Sequence, residues 1–245
     1  MPEFADVDLS GAVFREVDLT GARMSGVLLI DADIDGAIDG LVVNGVQVGP
    51  LISDELDRRH PERTKLRPTD AAGCREAWRT VESFWSPTMA RALALPEADR
   101  HRSVGGEWSF TQTLRHLVFV TDAWLGRAVL GEVAPFHPLG LPASFITDGE
   151  LFGIDSGAEP SYAEVVAARE ERLTTVRDFL STLTDEDLTR ARVTTTDAGW
   201  PPPGERTALT CLLVILDEEW AHHRFAVRDL DALAATETPQ GGSRA

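Results

Sequence analysis

The sequence predicts a mostly α-helical protein: a four-helix bundle preceded by a short coil that turns a corner every five residues. Three observations carry this reading. The first roughly forty residues repeat with a strict period of five. Beyond them, four segments space their apolar residues three and four apart, the period of a helix with one buried face. The last of these segments carries two polar residues, one turn apart, inside an otherwise apolar stripe.

In the repeat, every fifth residue from Phe4 is large and apolar: Phe4, Leu9, Phe14, Leu19, Met24, Leu29 and Ile34. Two residues before each, from the second onward, stands a smaller apolar residue: Val7, Ala12, Val17, Ala22, Val27 and Ala32. A period of five fits neither a helix nor a strand. It fits a chain that turns after each repeat and points one large and one small side chain inward per face. The repeats VDLSG, AVFRE, VDLTG, ARMSG, VLLID and ADIDG resemble the pentapeptide-repeat family over about residues 2 to 40. The resemblance implies a right-handed, four-sided β-helix, here of less than two coils, which cannot cover its own ends. A β-hairpin about Asn44-Gly45, flanked by Val42-Val43 and Val46, is expected to cap it.

Residues 1–48 are thus read as coil and cap, 49–69 as a connector with a short helix, 70–235 as the bundle and 236–245 as a disordered tail. Apolar spacing through Ala77, Trp78, Val81, Phe84 and Trp85 predicts the first bundle helix, over 70–96 and interrupted at Ser86-Pro87. The second runs over 109–131, with Ser109 as N-cap. The third spans 161–183 through Val165, Ala168, Leu173, Val176 and Leu180, and the last about 207–234. One long proline-bearing crossover, 132–160, joins the second helix to the third, as bundles allow.

Composition narrows the function. The chain of 245 residues carries 40 acidic and 23 basic residues, a formal charge of -17. Phosphate neutralisation needs Lys and Arg, so neither nucleic acid nor an anionic membrane is the expected partner. Residues 1–57 hold twelve acids against Arg15 and Arg23, but the coil is too short to mimic a DNA duplex. No stretch is long and apolar enough to span a bilayer, and the first residues have no secretory pattern; a cytoplasmic protein is expected. Cys74 and Cys211 form neither a metal-spaced pair nor a disulfide framework.

On a helical wheel the last helix shows one stripe: Leu209, Leu212, Leu216, Glu219, His223, Ala226, Leu230 and Leu233. A buried, unpaired carboxylate costs several kcal/mol, so something must hold Glu219. An i, i+4 Glu/His pair can share a metal ion; the alternative is a buried Glu–His ion pair. A third polar break, His116, lies among apolar residues of the second helix. Two nitrogens and one oxygen with an open position suit a catalytic metal site. His222 faces roughly 100° away and is expected outside the ligand set, as are Asp217 and Glu218.

The segment from Trp108 to Leu117, followed much later by Glu219-Trp220-Ala221-His222-His223-Arg224, resembles the DinB-like superfamily. There a second-helix histidine precedes Leu, and a fourth-helix H-x-x-x-H precedes Arg. The resemblance, over about residues 70 to 235, implies His116, Glu219 and His223 as metal ligands. Glu219 stands where the family has histidine, a departure that hardens the site. It further implies a divalent metal, zinc first, with Ni, Mn or Fe as alternatives. The implied function is a thiol S-transferase or isomerase using a low-molecular-weight thiol such as bacillithiol or mycothiol, or a metal-dependent hydrolase. The few Lys among many Arg suit a high-GC bacterium, for which mycothiol is the natural thiol. A homodimer is expected. Phe136, Phe145, Phe152 and Trp200 are candidate lid residues, and Trp108 a candidate wall. The alternative is a non-catalytic metal-binding scaffold of the stress response, assembled through its coil.

Overall fold

A computed structural model of the chain describes residues 3–15, 17–194 and 197–237; the tail expected over 236–245 falls almost wholly outside them. The five-residue period is visible as backbone geometry. Asp6, Gly11, Gly21, Gly26, Asp31 and Gly36 all have positive φ, each a multiple of five apart. Glycine and, at a modest cost, aspartate are the residues that take this conformation, so they mark the corners. Backbone bonds from Ala12 to Leu9, Ala22 to Leu19 and Ala32 to Leu29 close turns along the coil.

The large apolar residues between the corners are not enclosed. From Leu9 at 48% to Phe4 at 75%, every member of the stripe is open to solvent. This departs from the inward-facing stripe that a closed β-helix requires. Seven repeats give each side chain too few neighbours to cover it. The predicted hairpin is present: β1 (Val42–Val43) pairs antiparallel with β2 (Val46–Gln47), with Asn44 and Gly45 both at positive φ in the turn.

Helix α1 (Gly49–Arg59) and a 3-10 turn (Pro61–Leu66) make up the connector. Asp57 holds it together by accepting from both Arg63 and Arg67. The bundle follows. Helix α2 (Ala71–Ala94) is capped by Asp70, whose side chain accepts from the Gly73 N–H at 2.6 Å. It buries Cys74, Ala77, Trp78, Val81, Trp85 and Ala92 and runs on through Pro87, where the sequence suggested a break. Short helix α3 (Glu97–Arg100) leads to α4 (Phe110–Thr121). Ser109 caps α4 in a capping box with Gln112, as its sequence predicts.

From Asp122 to Leu130 the helix widens to a π-helix. Helix α5 (Tyr162–Thr182) has the same kind of box, built by Ser161 and Glu164. Helix α6 (Asp185–Thr189) and an antiparallel hairpin, β3 (Ala191–Thr194) with β4 (Gly204–Thr207), precede α7 (Ala208–Glu237). The hairpin was not legible in the sequence, because the polar residues of β3 and β4 alternate with no apolar set. Helix α4 packs on α5 and α7, and α2 packs on α7 and α5. No helix among the described residues is long and apolar enough to cross a membrane.

The π-helix buries a carboxylate. Asp122 accepts from Arg172 Nε at 2.6 Å and from the His137 N–H at 2.8 Å. Burial nevertheless outweighs these bonds and pushes its carboxyl up to about 6 from 3.8. A folded-state value above the unfolded one means that folding binds the proton more tightly. Asp122 therefore costs stability as pH rises from about 4 to about 6, by roughly 2–3 kcal/mol. Urea unfolding of Asp122→Asn across this range is expected to lack that part of the parent's pH dependence. Parallel pH profiles for the two proteins would show that Arg172 fully compensates the burial.

Candidate metal centre between α4 and α7

His116 projects from α4 and is buried. Its Nδ1 lies 2.8 Å from the carbonyl oxygen of Leu141 in the long crossover. A carbonyl only accepts, so Nδ1 donates to it and Nε2 faces the opposite way. There, 3.5 Å off, is Oε2 of Glu218. Glu218 comes from α7, and one turn on, His222 places Nδ1 3.2 Å from the same carboxylate oxygen. His222 Nδ1 also lies 2.9 Å from the Glu218 carbonyl. His116, Glu218 and His222 each offer a ligand atom, all within 4.8 Å of one another. Ligands about 2.1 Å from a tetrahedral ion are about 3.4 Å apart, so this spacing suits a shared cation.

The residues present fit such an ion on their own chemistry. Two imidazoles and one carboxylate form a common donor set for catalytic divalent metals. A histidine that ligates through one nitrogen usually gives its other N–H to a carbonyl or carboxylate, as His116 does to Leu141. Burial opposes the charge on Glu218, but hydrogen bonds and attraction from His116 and His222 prevail and pull its carboxyl down to about 2. It is an anion at neutral pH.

The structure does not bring Glu219 and His223 to His116. Glu219 is fully buried and its Oε2 accepts from Arg169 Nη2 of α5 at 2.7 Å. His223 Nε2 meets Thr88 Oγ1 at 2.8 Å, and its ring packs on Phe84 and Trp85 of α2. Burial pushes the His223 imidazole down to about 4, so it is neutral. The apolar stripe through 212, 216, 219, 226 and 230 was read correctly as the bundle interior. But His116 leaves α4 toward the groove beside α7, and the face of α7 turned to that groove is one residue round. Glu218 and His222, expected outside the set, occupy it. The signal was present in Glu218-Glu219-Trp220-Ala221-His222-His223, which contains two overlapping i, i+4 Glu/His pairs.

Arg169 was missed, although it interrupts an apolar stripe of α5 formed by Val165, Val176 and Leu180. Its guanidinium lies 5.2 Å from the Trp85 ring centre, and it answers the question of what holds a buried Glu219.

Around the three donors the walls are aromatic. Trp108 stands 4.7 Å from the His116 ring and is stacked 6.0 Å from that of His222. Phe119 and Phe225 flank the same histidines at 6.1 and 5.9 Å. The crossover is pinned beside them by Arg115, which donates to Leu139 and Ala158. Of the expected lid residues, Phe136 and Phe152 pack into the core with Phe119, whereas Phe145 meets Trp200 at the surface. Cys74 and Cys211 are buried, and burial pushes both thiols up to about 11; neither is an activated nucleophile.

Residues 55–226 match the family model of the DinB superfamily, and residues 3–38 match that of pentapeptide repeats in 8 copies. No curated protein and no solved structure matches the chain.

Proposed function

The chain belongs to the DinB superfamily, with pentapeptide repeats ahead of the family domain, and we propose that it is a divalent-metal-dependent enzyme using a low-molecular-weight thiol of the mycothiol type. The observation that carries this reading is the convergence of His116, Glu218 and His222 within 4.8 Å. Three protein donors leave room for a fourth, exchangeable ligand, the mark of catalytic rather than structural sites. Zinc is the first expectation, since two histidines and one glutamate are a known catalytic zinc set. Mn, Ni and Fe are the competitors.

A bound ion of this kind holds a thiol as thiolate or lowers the pKa of water. The chain's own residues do the rest. The Leu141 carbonyl fixes the tautomer of His116. Glu218 supplies the one negative charge. Trp108, Phe119 and Phe225 offer apolar surface beside the donors, which favours a thiol and an apolar acceptor over a polar hydrolytic substrate.

The test loads the full-length protein with Co(II) and titrates it with mycothiol. A thiolate-to-cobalt charge-transfer band, with turnover of an electrophilic acceptor by the zinc form, is the expected result. Metal binding with no such band would move the reading to a hydrolase. A second reading, a non-catalytic scaffold assembled through the coil, is favoured by the open apolar stripe from Phe4 to Ile34. Metal binding without turnover of either a thiol acceptor or a hydrolytic substrate would select it.

A further inference from the structure

We propose that Arg15, on the pentapeptide coil, is a positioning residue for Trp108 and so sets access to the His116, Glu218 and His222 site. The inference rests on the metal-site reading and gives the coil a role in it. Arg15 Nη2 donates to the Gly105 carbonyl, and Arg15 Nε lies 3.4 Å from Glu107 Oε1. Gly106 accommodates the guanidinium: a Cβ built there would fall 2.5 Å from Arg15 Nη1. Gly106 also has φ +82, where other residues are strained. The position therefore suits glycine twice, once for its backbone and once for the arginine seated on it.

The clamped segment leads directly into the site. The residue after Glu107 is Trp108, whose ring covers both His116 and His222. Next comes Ser109, the cap of the helix that carries His116. A weaker, purely electrostatic influence reaches the other ligand helix. Arg228 of α7 pairs with Asp229 and, less strongly, feels the charges of Glu107 and of Asp35 on the coil. It lies over the Phe225 ring, which meets His222 edge-on. The coil thus contacts the approach to the helix that carries His116, and Arg15 and Arg23 are the two basic residues of positions 1–57, against twelve acids.

The Arg15–Glu107 pair is half-exposed, and such pairs contribute little to global stability. The clamp is therefore weak enough to be released without unfolding anything. With it in place, Trp108 roofs the donors; without it, residues 103–108 move more freely and the roof opens.

The experiment compares the full-length parent with Arg15→Ala, Arg15→Lys and Arg23→Ala, the last removing the same charge elsewhere on the coil. Amide hydrogen exchange over 103–108 is expected to quicken in Arg15→Ala and not in Arg23→Ala. In the zinc-loaded protein, a competing chelator should remove zinc about fivefold faster, the scale of one exposed ion pair. Zinc content and melting temperature stay unchanged. Arg15→Lys should fall between the two, and Arg15→Ala should add nothing in a Trp108→Ala background. Exchange and zinc release equal to the parent's would overturn the proposal, as would equal effects of Arg15→Ala and Arg23→Ala. A parent that binds no zinc defeats the metal reading instead. The clamp is then judged by exchange and by diethyl pyrocarbonate modification of His116 and His222, which the clamp should slow.

Discussion

Glu218→Ala and His222→Ala are expected to lose bound metal, while Glu219→Gln and His223→Gln retain it. The pairs are neighbours in sequence and alike in residue type, and they differ in where the fold points them. Glu218 Oε2 lies within 3.5 Å of His116 Nε2 and 3.2 Å of His222 Nδ1. Glu219 instead faces Arg169, and His223 faces Thr88. Removing a direct ligand should weaken binding by more than the roughly 10–100-fold that follows loss of an outer-shell partner. His116→Ala belongs with the first pair. Elemental analysis of untagged protein, refolded state checked by circular dichroism, decides the matter. Metal kept by the first pair and lost by the second would restore Glu219 and His223 as the ligands.

The largest effect on stability is expected at Glu219. Its carboxylate and the Arg169 guanidinium are both buried, with side chains 1% and 5% exposed. Truncation to alanine leaves a cation in the bundle interior with no counter-charge, at a cost of about 3–5 kcal/mol. For a domain of this size that lowers the melting temperature by roughly 10 °C or more. The surroundings offer Arg169 little relief. Its Nη1, Glu219 Oε1 and Trp85 Nε1 already lack a hydrogen-bond partner. Replacing both charges together, Glu219→Leu with Arg169→Met, should recover most of the loss, because the desolvation of both ions disappears with them. Urea unfolding of the single and double variants measures this directly. A loss below about 1 kcal/mol in Glu219→Ala would show that water reaches Arg169.

Much of the architecture was legible because it is local. A helix shows its apolar face at spacings of three and four, and its start in a side chain that takes up free N–H groups. Ser109 and Ser161 cap α4 and α5 as their positions imply. The corners of the coil are legible for the same reason: the positive φ at Asp6, Gly11, Gly21, Gly26, Asp31 and Gly36 selects glycine or aspartate. His116 stood out as a polar residue among apolar ones, and Glu219 as a buried charge needing a partner. The π-helix from Asp122 and the β3–β4 hairpin left no such mark. The first differs from an α-helix by one residue per turn, and the second is polar on both faces.

The sequence by itself determined the long bundle helices and the five-residue period of the coil, and it singled out one histidine of α4 and a Glu/His pair of α7 as polar breaks in apolar stripes. The tertiary structure brings Glu218 and His222, rather than Glu219 and His223, to His116. A helical wheel finds the buried stripe but says nothing of which neighbour lies against which flank. Here the centre of the α7 stripe faces α5 and α2, where Arg169 and Thr88 answer Glu219 and His223. The flank 100° round faces α4, where His116 waits for Glu218 and His222. The same limit hid Arg15, whose partners lie 90 and 92 residues away. Contacts at that separation are set by how whole elements pack, which no local pattern records.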